Sequence, residues 1–253
     1  MMNEQGAMGV LATAYMPPAA FWVAANRMVV MPSANRLAAA VSSVGNEPPR
    51  RVLRLCKDEY YHKQTYRNRA VILTAQGEQR LSVPVSCPRG PYTPVEDVRI
   101  DYAKNWQRDH WRSLCTAYNN SPYFLYYRDE LEAILLQTRP ERLWDLNWRL
   151  IGFFVKAFGL NWTVEAVSRR ELSNLRASAA GHAEANPTAL VHAEAMAPLA
   201  FSDKTPQLWQ RFAPSVTPET YQNTFMQTVD CPARLSSCDL LFNYGPQAGT
   251  LFA

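Results

Sequence analysis

The residues of this chain that could do chemistry gather in three short stretches. The first is Tyr60-Tyr61-His62-Lys63-Gln64-Thr65-Tyr66-Arg67-Asn68-Arg69. It packs two guanidinium groups, an ammonium, an imidazole, two amides and three phenols into ten residues. On an extended backbone side chains alternate, so Arg67 and Arg69 fall on one face and Asn68 on the other. Two guanidinium forks on one face suit a phosphate or carboxylate clamp. Lys63 adds charge or, if desolvated, a nucleophile, and Tyr60, Gln64 and Asn68 could orient a bound group. A charged strand edge with aromatic cover has the same composition. The second stretch is Trp106-Gln107-Arg108-Asp109-His110-Trp111. His110 lies one helical turn after Trp106, on the same face. An imidazole beside an aromatic ring fits a general base in a substrate slot, and equally a histidine packed on a bundle face. Asp109 points about 100° away from His110 on a helix, so the two are not read as a dyad. The third stretch runs from Asp239 to Pro246. Asp239 and Asn243 are four apart and can meet on one helical face. Asp239 could orient a substrate hydroxyl or amine, or pair with an arginine of the basic stretch. A helix end with Asn243 and Gly245 as termination residues is the competing reading. Asn147, inside an aromatic helix, is read as a hydrogen-bond hub rather than a site residue.

Charge supports the first stretch. The 253-residue chain carries a formal net charge of +4. Seven Lys and Arg against two acids between 50 and 69 give that window +5, while the rest of the chain is almost balanced. A local excess of this kind favours an anionic partner. An RNA-binding face would spread its basic residues over several elements, so a small anionic ligand is expected and no nucleic acid. With 47% hydrophobic residues the chain has the composition of a folded domain, which excludes wholesale disorder, collagen and disulfide-scaffold classes. Five cysteines without a C-x-x-C pair fit reduced thiols in the cytoplasm. The Walker phosphate loop, the dinucleotide fingerprint, the nucleophile elbow and the zinc-protease helix motif are all missing. The four histidines have no metal-ligand spacing, so neither metal nor cofactor is expected. The first basic residue is Arg27, which argues against a signal peptide. The stretch from Leu150 to Leu160 contains Lys156 and is too short to span a bilayer.

The elements that must position these groups follow from periodicity and punctuation. A buried strand is expected over 10–14, then a short helix over 17–25 with proline in its first turn. A strand over 52–57 follows. The alternating runs 70–74 and 79–85 flank Gln76-Gly77 as a hairpin. A proline-rich loop at 86–94 precedes another strand at 95–100. Three helices come next: 105–118, capped by Asn105; one opened by Ser121-Pro122; and one opened by Thr138 and Pro140 that runs to Gly159. A return strand is expected at 162–167, and a short helix, a Gly-Pro turn and a tail close the chain. The expected architecture is one α/β (or α+β) domain over 1–253. A mixed sheet from the N-terminal half would pack against the three central helices, with variable excursions at 26–49 and 172–206.

The motifs together resemble the WbqC-like proteins of bacterial polysaccharide gene clusters. AYMPPAAFW, which contains Tyr15, is similar to the family's aromatic-x-Pro opening. YHKQTYRNR is similar to its Tyr-x-Lys-Gln-x-Tyr-Arg-Asn-Arg signature. LSVPV and IDYAKNWQRDHWRSLCTAYNNSPYF match its middle, and LSSCDLLFNYGP its end, in the version that looks most like Bacteroidetes members. The resemblance covers about 9–165 and 207–252. Ala14 and His62 stand where the family often has glutamine. The resemblance implies a part in O-antigen-like surface polysaccharide assembly, with acyl or aminoacyl transfer, glycine included, as the proposed activity. The partner would then be a nucleotide sugar or an activated acyl donor. On this reading His110 and Lys63 are the candidate catalytic residues. Tyr15, Tyr60, Gln64, Arg67, Asn68, Arg69, Trp106, Asp239 and Asn243 are the candidate substrate-binding residues. A non-catalytic module for an anionic metabolite and an interaction subunit of an envelope assembly complex are the alternatives.

Overall fold

The computed structural model describes residues 10–28, 51–174, 221 and 231–252. In chain order the elements are β1 (Leu11–Ala12), α1 (Ala19–Met28), β2 (Arg51–Cys56), β3 (Arg69–Thr74), β4 (Gly77–Ser82), β5 (Val85–Ser86) and β6 (Arg99–Ile100). Then come α2 (Trp106–Tyr118), α3 (Phe124–Glu132), α4 (Leu143–Ala157), β7 (Trp162–Val167) and α5 (Ser237–Tyr244). A π-helical turn, Ala133–Gln137, continues α3, and 3-10 turns at Gly245–Phe252 follow α5. The α/β class is as expected. No described helix is long and apolar enough to cross a membrane.

The strands do not join into one mixed sheet. β1, β2 and β7 form a three-stranded parallel sheet with β2 central, while β3–β4 and β5–β6 are separate antiparallel pairs. Parallel neighbours need a long crossover, and α2 to α4 lie within the one between β2 and β7. The third strand of that sheet therefore comes from the second half of the chain. Between β2 and β3 the backbone spends its hydrogen bonds elsewhere. The Tyr66 carbonyl accepts from Tyr15 N at 2.9 Å, and Tyr61 N donates to the Thr93 carbonyl at 2.9 Å. The hairpin is thus delivered as its own layer.

Three expected boundaries move for similar reasons. In the stretch expected as a strand, Val95 N and Glu96 N donate to the carbonyls of Glu59 and Lys57, so Val95–Asp97 coils into a 3-10 turn. Only Arg99–Ile100 remains as strand, paired with Val85–Ser86. α4 starts at Leu143 rather than near Pro140, because Ile100 N donates to the Glu141 carbonyl and Arg99 bridges Arg142. Ser121-Pro122 forms a turn on the Tyr118 carbonyl, and α3 begins two residues later. The expected excursion at 26–49 lies outside the described residues after Met28. The one at 172–206 lies outside them after Asn174.

The apolar stripes of the helices meet in a shared core around Trp22. Its ring packs on Phe21, Phe154, Phe158, Trp162 and Phe252 at centroid distances of 5.2 to 6.4 Å. Trp22 Nε1 donates to Ser237 Oγ at 2.8 Å, and that hydroxyl donates to the Pro17 carbonyl. The two ends of the described chain are thereby laced together.

Candidate functional site

The basic stretch folds as a locked loop between β2 and β3. Arg67 is only 3% exposed and pairs with Glu59, itself 6% exposed. Nε donates to Glu59 Oε1 at 3.0 Å and Nη2 to Oε2 at 2.6 Å, while Nη1 donates to Thr65 Oγ1 at 3.2 Å. Thr65 Oγ1 in turn donates to the His62 carbonyl. Asn147 Nδ2 donates to the Arg67 carbonyl at 2.8 Å, one structural bond where a hub was expected. Arg67 is therefore not half of an open clamp. The backbone turns at this residue instead of running extended, and its fork is filled by a carboxylate eight residues earlier. Burial pushes the Glu59 carboxyl up, and Arg67 pulls it back.

What the loop leaves open is Arg69 and the tip. Arg69 is half-buried at the start of β3, and no carboxylate or hydrogen-bond acceptor among the described residues holds its guanidinium. His62, Lys63 and Gln64 are exposed, with Gln64 in the left-handed region at φ 61°. Tyr61 is buried within electrostatic reach of Arg69, Arg67 and Cys87. Burial pushes its phenol up to about 12, so it stays a neutral donor. Lys63 lowers the Cys87 thiol, against the larger upward push of burial. Tyr61 thus lies within electrostatic reach of Arg69 and Cys87, and Cys87 within reach of Lys63. Tyr60 is exposed, with the Arg169 guanidinium carbon 4.4 Å from its ring centroid.

The helix stretch comes to the same strand end. Trp106 and His110 share a face of α2, with ring centroids 5.2 Å apart. Tyr15 Oη lies 2.9 Å from His110 Nδ1. An imidazole N–H is drawn to the Ser82 carbonyl, which is consistent with Nε2–H donating there and Nδ1 accepting from Tyr15. Burial lowers the imidazole to about 4, with Asp109 and the Ser82 carbonyl pulling weakly upward, so the ring is neutral at pH 7. Ser82 is the register partner of Arg69. The imidazole and the open guanidinium therefore flank one residue pair of the hairpin.

Buried polar atoms without partners surround that strand end. Asn68 Nδ2 donates to the Val83 carbonyl at 2.9 Å, but Asn68 Oδ1 is unpaired, as are Asn147 Oδ1 and Trp106 Nε1. An unsatisfied buried polar atom costs about 1–3 kcal/mol. Of the three residues, Trp106 is the one whose ring touches both Tyr15 and His110.

Asp239 and Asn243 are not part of this cluster. They do meet, with Asn243 Nδ2 donating to Asp239 Oδ1 at 3.2 Å. Asp239, however, is wholly buried. It accepts from Tyr118 Oη at 2.5 Å, and that hydroxyl accepts from Leu73 N. Tyr118 is two turns beyond His110 on α2, about 12 Å along the axis. Asp239 is an interior hub tying α5 to α2 and β3, and burial pushes its carboxyl up to about 7. Sequence reasoning missed Glu59, Thr65, Tyr118 and Ser82. Glu59 was visible as one of two acids among seven cations. The others carried no signal in a single sequence.

Among the described residues no three His, Cys, Asp or Glu gather as a metal set, and the five cysteines are unpaired. A surface groove of about 580 Å³ lined by Arg54, Trp148, Val164 and Glu171 contains none of the expected site residues.

The model of the WbqC-like protein family matches residues 52–250, from β2 to the final turns. The chain belongs to the WbqC-like family. It is 32% identical over 104 residues to a Mycobacterium tuberculosis protein named Uncharacterized protein Rv1507c. That match covers 41% of this chain and 45% of the relative, so the chain spans about half of the relative's length. No solved structure matches. The family match contains every candidate site residue except Tyr15.

Proposed function

We propose that this WbqC-like chain is an acyl or aminoacyl transferase acting on a sugar in surface-polysaccharide (O-antigen-like) biosynthesis. Glycine is the aminoacyl group that the family resemblance suggests. Arg69 and Lys63 bind the phosphate of a nucleotide sugar or an activated acyl donor, substrates that place the reaction in the cytoplasm. One observation carries this reading: the half-buried Arg69 guanidinium has no acid partner among the described residues, at the end of a loop that bears exposed Lys63 and that the Arg67–Glu59 pair holds in place. Burial around a fork raises the worth of a charge-assisted bond to an anion. Neutral His110 receives the proton of the attacking amine or hydroxyl after substrate takes the place of Tyr15 at Nδ1. A base that burial holds at about 4 is weak, so the role requires that substrate entry at Nδ1 bring the imidazole back toward neutral pH.

A second reading, a binding module without turnover, is favoured by the engagement of both sides of the His110 ring. Calorimetric titration and thermal shift with nucleotide sugars, acyl-CoA and pyrophosphate test the anion site. Arg69→Ala is expected to abolish ligand-induced stabilisation while leaving the ligand-free melting temperature in place. Unchanged binding in that variant rejects the site. Mass spectrometry of donor–acceptor mixtures then separates the two readings, since a module binds and forms no product.

A further inference from the structure

Tyr92 is 69% exposed and Tyr60 39%, in a protein that buries most of its large aromatic rings. The two stand edge to face, with centroids 5.8 Å apart and planes at 82°. Neither is loosely held. Tyr60 bridges Pro94, and Tyr61 N donates to the Thr93 carbonyl. Thr93 is wholly buried, with Oγ1 donating to the Gly90 carbonyl and accepting from Arg89 N, both at 2.9 Å. Gly90 takes φ 57°, which closes the turn that presents Tyr92. Arg169 lies over the Tyr60 ring and is fixed from below, its backbone N–H donating to Asp58 Oδ1 at 2.7 Å. Leaving a large ring in water forgoes about 1.5–3 kcal/mol of burial. Here two are held out side by side on a turn stiffened by a buried threonine.

Resting on the anion site proposed above, we infer that Tyr92, walled by Tyr60 and Arg169, stacks the base of a nucleoside diphosphate whose phosphates lie on Lys63 and Arg69. Arg169 occupies a face of Tyr60, whereas Tyr60 is the sole ring beside Tyr92 among the described residues. Tyr92 therefore offers the free face. Positive charge comes from Arg169 over Tyr60, itself ion-paired with Asp58 at 3.8 Å, and from exposed Lys63 three residues after Tyr60, which favours a phosphorylated ligand over a neutral sugar. Tyr60 and Lys63 are three residues apart, at most about 11 Å along the chain, a span that a ribosyl diphosphate bridges. Stacking on a flat ring tolerates any base, so the site selects the nucleotide class and not one member.

The test compares the affinities of UDP, GDP and CDP with that of pyrophosphate by calorimetry on the full chain. All three nucleotides are expected to bind about tenfold tighter than pyrophosphate. Tyr92→Ala removes the advantage, leaves pyrophosphate affinity and melting temperature unchanged, and Tyr92→Trp restores the advantage. Pyrophosphate and nucleotides binding equally, with Arg69→Ala abolishing both, would overturn the platform and leave the anion site standing. If neither pyrophosphate nor any nucleotide binds, anion site and platform fall together.

Discussion

Removing one half of the Arg67–Glu59 pair strands the other charge in a dry loop, and that residual charge sets the cost. Breaking a buried pair by deleting one partner costs about 3–5 kcal/mol, whereas replacing both with apolar groups of similar size is far milder. Glu59→Gln is therefore expected to lower the urea midpoint sharply, and the double variant Glu59→Leu/Arg67→Met to recover most of the loss. A single variant within about 0.5 kcal/mol of wild type would show the pair to be solvated. The pairing also shows how far residue types alone carry. A cluster of cations was legible from 50 to 69, and so was the presence of Glu59 within it. Which cation Glu59 takes was not legible. That depends on a turn at 62–65 with Gln64 in the left-handed region, a conformation that alternation along a strand cannot anticipate. Arg69 differs from Arg67 because it sits on a true strand, with no acid partner among the described residues facing it.

At the scale of elements, period and punctuation located the hairpin, the three central helices and the return strand. They misplaced boundaries where tertiary hydrogen bonds hold the backbone extended, as at 141–142, or draw off ladder donors, as at 95–96. The sheet arrangement escaped because parallel pairing of β2 with β7 joins residues over a hundred apart, and no local pattern encodes that choice. Gly245 was legible as a stop, and its structure shows why. It has φ 60° and ψ −142°, a region essentially confined to glycine, and an added Cβ would stand 2.6 Å from the Tyr123 ring. Gly245→Ala is expected to cost more than about 2 kcal/mol, lowering the melting temperature by roughly 4–8 °C. Gly159, at φ 64°, would place its Cβ in open space, so Gly159→Ala should cost only about 1 kcal/mol. Equal losses in the two variants would mean that the Tyr123 contact relaxes freely and that α5 is not pinned to α3 at this point.

For the whole molecule, buried His110 of α2 and buried Asp239 of α5 pull stability in opposite directions. His110 titrates near 6.5 when unfolded and about 4 when folded. Between those values the unfolded chain binds the extra proton, so this group makes stability rise with pH, by about 3 kcal/mol across the window. Asp239 titrates near 3.8 unfolded and about 7 folded. There the folded chain holds the extra proton, so this group makes stability fall as pH rises through the same range, by about 4 kcal/mol. The two slopes largely offset each other from pH 4 to 6.5. They can be separated by subtracting variants from wild type, since every other carboxylate cancels in the difference. His110→Gln keeps a polar side chain but cannot titrate. Its stability deficit relative to wild type should grow as pH rises from 4 to 6.5. Asp239→Asn keeps an acceptor for Tyr118 and should gain on wild type over pH 4 to 7, as the cost of the buried charge is removed. Urea unfolding at pH 4, 5.5 and 7 reads both differences. The opposite tilts are expected because the imidazole and the carboxyl, on either side of the hairpin, are both held neutral by burial. Profiles that stay parallel to wild type in both variants would show instead that water reaches both groups, and a solvated His110 would leave its Nδ1 open to substrate without displacement of Tyr15.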